Sequence, residues 1–170
     1  MKAYIADLAA YNDGRLVGEW IELDGKDGDA LREEVNGLLA KWTRESGELR
    51  EEYAVHDWDM VKGWDNCNEC PDWDKVVEFV AACDEHGEDI VSAALQCDIP
   101  LDKIGEAFRG EYDSETDYAE RYADDTGILS EIPENLRYYF NFEAFGRDMF
   151  IDDVQGVYID GNLYVFDRNW

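Results

Sequence analysis

Positive charge is scarce in this chain. Fifteen Lys and Arg stand against forty-two Asp and Glu, a formal net charge of −27 over 170 residues. A face that binds duplex DNA must present Lys and Arg and release counterions, so direct nucleic-acid binding is not expected, and anionic membranes repel such a chain. Proline is rare, with three residues, and no Gly-, Ser- or Pro-rich linker, low-complexity run or internal repeat is evident. No apolar run approaches 18 residues and no basic stretch precedes an apolar core near the N-terminus, so neither secretion nor membrane insertion is expected. The expected location is cytoplasmic, with basic partners. Histidine is limited to His56 and His86, and GxSxG, HExxH and GxxxxGK[ST] are all missing. The acids at Asp24, Asp27 and Asp29 miss the 1-3-5 spacing of an EF-hand loop. Forty-two acids nominate no particular glycosidase pair, and His56 beside Asp57 reads as a partly exposed strand histidine. No enzyme, catalytic residue or cofactor is expected.

The apolar content is sufficient for folding. Hydrophobic residues make up 45% and aromatics 14% of the chain, enough to build cores despite a net charge often found in disordered segments. The acid is spread evenly. Residues 1–60 carry a net −8, residues 61–103 a net −8, and residues 104–170 a net −11. Those boundaries also mark changes of pattern and define three expected subdomains in an α+β chain.

Residues 1–60 read as an α+β unit. "KAYIADLAAY" is strand-like, "NDG" signals a turn and "RLVGEWIEL" returns as a strand. Asp29 is placed as the cap of a helix with Ala30, Leu31, Val35, Leu38, Leu39 and Trp42 as its apolar positions, and "EEYAVHDW" as a third strand. Residues 61–103 read as helical: Pro71 opens a helix that Gly87 ends, with Trp73, Val76, Val77, Val80 and Cys83 on one side. "EDIVSAALQC" and "PLDKIGEAF" are two further short helices. In residues 104–170, "SEIPENLRYYFNFEAFGRDMFIDD" is helical in two pieces. "GVYIDGNLYVF" closes the chain as a hairpin turning at Asp160-Gly161 or Gly161-Asn162.

Two features compete for function. Cys67, Cys70, Cys83 and His86 have the C-x2-C-x12-C-x2-H spacing of a zinc site. Against it, Cys83 continues the apolar stripe of Phe79 and Val80, as a small core residue would. The segment "EYDSETDYAERYADD" (111–125) holds seven acids and one base. On a helix, Asp113, Asp117, Glu120 and Asp124 form one stripe, with Tyr118, Tyr122, Ala119 and Ala123 facing inward. Ser114 and Asp117 have capping-box spacing, and Gly127 suits the stop. Such acids confer solubility, reflect salt adaptation, bind divalent metal loosely, or imitate phosphates. For the last, forty-two carboxylates equal the charge of roughly 70 Å of duplex and the net −27 that of about 45 Å.

Other residues carry a resemblance. "LAAYNDGRLVGEWIEL", with Ala9-Ala10-Tyr11-Asn12, Gly14, Gly18 and Trp20-Ile21, resembles the opening of ArdA antirestriction proteins, and "EEYAVHDWD" resembles a short strand of that family. "SEIPENLRYYFNFEAFGRDMF" is similar to its antirestriction motif and continuation, with Ile132-Pro133, Tyr138-Tyr139-Phe140, Phe142-Glu143-Ala144 and Gly146-Arg147-Asp148 in place. The likeness runs from about residue 3 to 166, with the cysteine region least distinctive.

This resemblance implies a DNA mimic, typical of mobile genetic elements, that occupies the DNA groove of the methyltransferase core of type I restriction-modification enzymes. It also implies an elongated chain of three small subdomains that pairs as a homodimer through its C-terminal region. On that basis Asp113, Glu115, Asp117, Glu120, Asp124, Asp125, Glu131, Glu134, Asp148, Asp152 and Asp153 are expected phosphate surrogates. Ile132, Pro133, Leu136, Tyr138, Tyr139, Phe140, Phe142 and Glu143 are the expected motif or dimer contact. The aromatic stretch from Tyr138 to Phe142 is expected to pack a subdomain core or that contact, and Arg147 to pair locally with Asp148. A zinc-binding module, and an acidic mimic or chaperone of another basic DNA-binding protein, are the alternatives.

Overall fold

In the computed structural model, which describes residues 1–61, 64 and 68–170, the chain divides into two compact units, Met1–Glu88 and Asp89–Trp170. Both are mixed helix and antiparallel sheet, as an α+β chain requires.

In the first unit, β1 (Lys2–Asp7) does not continue to Tyr11 as expected. Asp7 ends it by capping a helical turn, α1 (Leu8–Asn12), its carboxylate accepting from the Ala10 N–H at 3.0 Å. Gly14, at φ +78°, then reverses the chain into β2 (Gly18–Glu22). Asp27, and not Asp29, caps α2 (Gly28–Ser46), because its extended backbone aims the carboxylate at the Ala30 N–H, 2.8 Å away. Asp29 lies inside the first turn and pairs with Arg32.

Along α2 the spacing i, i+4, i+8, i+11 buries Leu31, Val35, Leu39 and Trp42, while Ala30 stays exposed and Leu38 is half-buried. These side chains share a core with Ala3 and Ile5 of β1 and Ile21 of β2. Each fully buried aliphatic contributes roughly 1.5–3 kcal/mol. The third strand, β3 (Tyr53–Asp59), completes a sheet ordered β2-β1-β3. Its register jumps from Tyr4↔Asp57 to Ile5↔Val55, which leaves His56 as the extra residue of a bulge. There its exposed ring meets Tyr11 edge-on, the surface position expected for it.

Pro71 precedes the cap instead of opening the next helix, since Asp72 caps α3 (Trp73–His86). Gly87 ends it as expected. Trp73, Val76 and Val80 join the same core, and Trp73 Nε1 donates to the Tyr53 hydroxyl at 3.0 Å. Val77 is only half-buried, and Phe79 takes the buried position instead.

α4 (Glu88–Gln96) leads into the second unit. The short helix expected over 100–108 is a 3-10 turn at Leu101–Lys103 followed by α5 (Ile104–Ala107). Phe108 instead starts β4 (Phe108–Tyr112), a strand whose last two residues fall within the segment expected to form the acidic helix. Next come α6 (Glu115–Thr126), a 3-10 turn at Ile128–Glu131, α7 (Glu134–Arg137) and α8 (Phe142–Asp152). The closing hairpin of β5 (Val154–Ile159) and β6 (Asn162–Asp167) turns at Asp160-Gly161, both at positive φ. β6 is the central strand of the order β4-β6-β5, so Leu163–Phe166 are all buried. Tyr118 and Ala119 of α6 and Met149 of α8 pack on Leu163 and Val165. Among the described residues, no helix is long and apolar enough to cross a membrane.

Candidate functional site

The acidic segment is a strand, a link and a helix. Glu111 lies in β4 and Asp113 in the link, so the expected stripe begins two residues before the helix does. Ser114 caps α6, its hydroxyl accepting from the Asp117 N–H at 3.1 Å. Asp117 reaches back and accepts from the Asp113 N–H at 3.1 Å. This reciprocal arrangement is a capping box shifted by one residue. Asp117 also pairs with Arg121 at 3.2 Å, so it is committed to the helix. Glu120, Asp124 and Asp125 stay exposed, and Gly127, at φ +70°, closes the helix.

Tyr118, Ala119 and Ala123 face inward as the pattern requires, whereas Tyr122 stands at the surface. Helix α8 crosses close against this face. A methyl group on Gly146 would stand 2.7 Å from the Glu115 carbonyl oxygen and 3.2 Å from the Ala119 Cβ. Glycine at 146 and alanine at 119 therefore let the two helices meet nearly backbone to backbone, and Glu115 is half-buried there. Both helices carry acids outward: Glu143, Asp148 and Asp152, followed by Asp153, are exposed along and after α8. Asp148 is partly neutralised by Arg147, 3.1 Å away.

Between the helices, Glu131 and Glu134 are exposed. Ile132 is half-buried, and its carbonyl accepts from Arg137 Nε at 3.1 Å. Pro133, exposed, stands at the start of α7. The aromatic run splits. Phe140 and Phe142 meet edge-on with ring centres 4.9 Å apart, and Phe140 meets Phe145 of α8 at 5.3 Å. Tyr138 and Tyr139, however, are 90% and 77% exposed, and Leu136 is 48% exposed. A core role is ruled out for these three. They lie on and just after α7, a single turn none of whose residues joins the buried cluster of this unit.

Charge is organised by pairing. Among the described residues, ten bases (Lys2, Arg15, Lys26, Arg32, Lys41, Arg50, Lys103, Arg109, Arg121 and Arg147) form ion pairs with carboxylates. Arg168 and Arg137 donate to backbone carbonyls instead. The bases are thus drawn into local contacts, and the surplus carboxylates face solvent. Helix α6 carries five acids over 12 residues. At 1.5 Å rise per residue that is one carboxylate per about 3.6 Å, close to the 3.4 Å per phosphate of one DNA strand.

The family Antirestriction protein (ArdA) matches residues 3–162. The chain belongs to the ArdA antirestriction family. Membership carries an antirestriction function and points to restriction-modification enzymes as partners in general. No curated protein matches the chain.

The cysteines form no assembled site in the described part of this family member. Cys67 lies outside the described residues, Cys70 is exposed and Cys83 is buried in α3. Burial pushes the Cys83 thiol up to about 11, as expected for a core cysteine. Among the described residues, no group of three or more His, Cys, Asp or Glu is placed to hold a metal ion.

Proposed function

We propose that this antirestriction protein acts as a DNA mimic, its second unit presenting carboxylates where a type I restriction-modification enzyme expects phosphates. The observation that carries this reading is the charge arrangement of α6. Its five acids average nearly single-strand phosphate spacing, three of them (Glu120, Asp124 and Asp125) stand exposed, and the one base on that helix is spent on Asp117. The attraction is distributed, so no single exposed carboxylate dominates, and it weakens with salt. The acids on α8 and Asp153 extend the same surface. By occupying the DNA groove of the methyltransferase core, the protein would block restriction of incoming DNA inside the cell.

The exposed Leu136, Tyr138 and Tyr139 support a homodimer contact through the antirestriction motif. Two aromatic residues so fully exposed, in a segment that also carries exposed Glu131 and Glu134, have the makings of an interface centre. A second copy would double the length of charged surface.

The test is displacement of a labelled duplex from a purified type I methyltransferase at two salt concentrations. Stoichiometric displacement that weakens with salt is expected. No displacement at micromolar protein overturns the reading.

A further inference from the structure

The second unit holds a cavity of about 460 Å³ that capping and core packing leave unexplained. Tyr112 of β4 and Tyr118 and Tyr122 of α6 form its wall, and Asp125 and Asp153 also line it. Arg109 and Asp167 line it too, but they neutralise each other at 2.6 Å. Asp125 and Asp153 are exposed and make no ion pair among the described residues, so the uncommitted charge of the cavity is negative.

Tyr118 is the decisive residue. It is 4% exposed, yet its hydroxyl makes no hydrogen bond among the described residues. The ring is what is buried; the oxygen itself is not sealed from solvent and stays free to take a partner. The Tyr118 ring meets Tyr112 edge-on at 5.0 Å and lies 6.1 Å from Tyr122, so the three tyrosines form one continuous wall. Burial is the main reason the phenol is pushed up to about 12, so it stays neutral at physiological pH. It therefore offers a lone pair as well as a proton.

Aromatic faces combined with unpaired carboxylates and an unfilled acceptor select an organic cation. A guanidinium fits best, because its plane stacks on tyrosine while its N–H groups reach carboxylate and hydroxyl oxygens together. The chain already seats one guanidinium in this way, with Arg121 Cζ 5.6 Å from the centre of the Tyr112 ring. We propose that the cavity lined by Tyr112, Tyr118, Tyr122, Asp125 and Asp153 is a socket for one arginine side chain of the partner enzyme. This rests on the DNA-mimic reading only for the identity of the partner. It adds an anchored contact to an otherwise diffuse attraction, in keeping with interface hot spots built on tyrosine and arginine in pockets.

Two assays test it. In the first, the isolated protein is titrated with N-acetyl-arginine amide and, separately, with N-acetyl-norleucine amide, while tyrosine ring protons are followed by NMR. Saturable shifts with the arginine probe alone are expected, weakened several-fold in Tyr118→Phe, which keeps the ring, and in Asp125→Asn. No saturable shift, or equal shifts with norleucine, overturns the socket. In the second, duplex displacement from the methyltransferase is compared for Tyr122→Ala, Asp125→Asn and Glu120→Gln. The first two should weaken inhibition about tenfold, as for loss of a desolvated cation–π contact, against about twofold for loss of the exposed Glu120 charge. Equal, small losses in all three overturn it. A wild-type protein that binds the probe but displaces no duplex would instead remove the type I reading and leave the socket standing.

Discussion

Two glycines in helix interiors give opposite predictions from the same substitution. Gly37 lies mid-way along α2, where an added methyl would meet nothing within 4 Å, while Gly146 lies in α8 with the Glu115 carbonyl oxygen 2.7 Å from the corresponding position. Alanine is favoured over glycine in a helix interior by about 1 kcal/mol. At Gly37 that gain has no opponent, so Gly37→Ala should stabilise the protein by nearly the full amount. At Gly146 the methyl falls about 0.8 Å short of ordinary van der Waals separation. The obstacle is backbone, which no rotamer change can move aside.

Overpacking of this kind costs roughly 1–3 kcal/mol, which exceeds the propensity gain. Gly146→Ala should therefore lose about 1 kcal/mol net. For a chain of this length, 1 kcal/mol shifts the melting temperature by about 2–4 °C. Thermal unfolding followed by circular dichroism should thus show Gly37→Ala above wild type and Gly146→Ala below it. If Gly146→Ala melts as high as Gly37→Ala, α6 and α8 do not cross at Gly146, and the placement of acids on the paired helices fails with it.

Glu120 and Asp124 reversed together to Lys remove two attractions and add two repulsions; at about 0.5 kcal/mol each the loss is about 2 kcal/mol, or about thirtyfold in inhibition. Unchanged inhibition at low salt would show that this face of α6 does not meet the target. Arg50→Met leaves the Asp7 carboxylate, 2% exposed, without the guanidinium that lies 3.2 Å away, and a buried pair broken from one side costs about 3–5 kcal/mol. A denaturation midpoint equal to wild type would mean that Arg50 does not compensate Asp7. At pH 8, Cys83 should resist iodoacetamide while exposed Cys70 reacts, because a thiol pushed up to about 11 stays protonated and a protonated thiol is a poor nucleophile. Mass spectrometry showing equal labelling would contradict that burial.

Hydrophobic periodicity placed α2, α3 and the inward face of α6 from sequence, because each repeats its apolar residues every three or four positions. What it missed were events decided by one carboxylate. Asp7 stops β1 and starts α1, although the chain around it stays apolar enough to read as one strand. Asp27 outcompetes Asp29 as a cap through backbone geometry, which composition does not encode. Strand β4 was hidden because its alternation, with Arg109 and Glu111 exposed between half-buried neighbours, spans only five residues. It also carries Gly110 at φ +127°, beside a shift in register. The antirestriction motif was legible as a string. The outward stance of Tyr138 and Tyr139 was not, since the same aromatics would satisfy a core pattern equally well.

The acids of this chain therefore fall into two groups that sequence alone treats as one. Asp7, Asp27, Asp72 and Asp117 satisfy backbone N–H groups at helix starts, and their charge is used locally. Glu120, Asp124, Asp125 and Asp153 have no such task and face solvent. A partner can read only the second group, because recruiting a capping carboxylate would uncap a helix at a cost of about 1 kcal/mol. Asp117 shows the division within a single helix: placed in the same stripe as Glu120 and Asp124, it is already held by Asp113 and Arg121. Its replacement by Asn should accordingly lower stability more than inhibition, whereas neutralising Asp125 should do the reverse. Measuring both properties on both variants separates the acids that build the helix from those that a restriction-modification enzyme would meet.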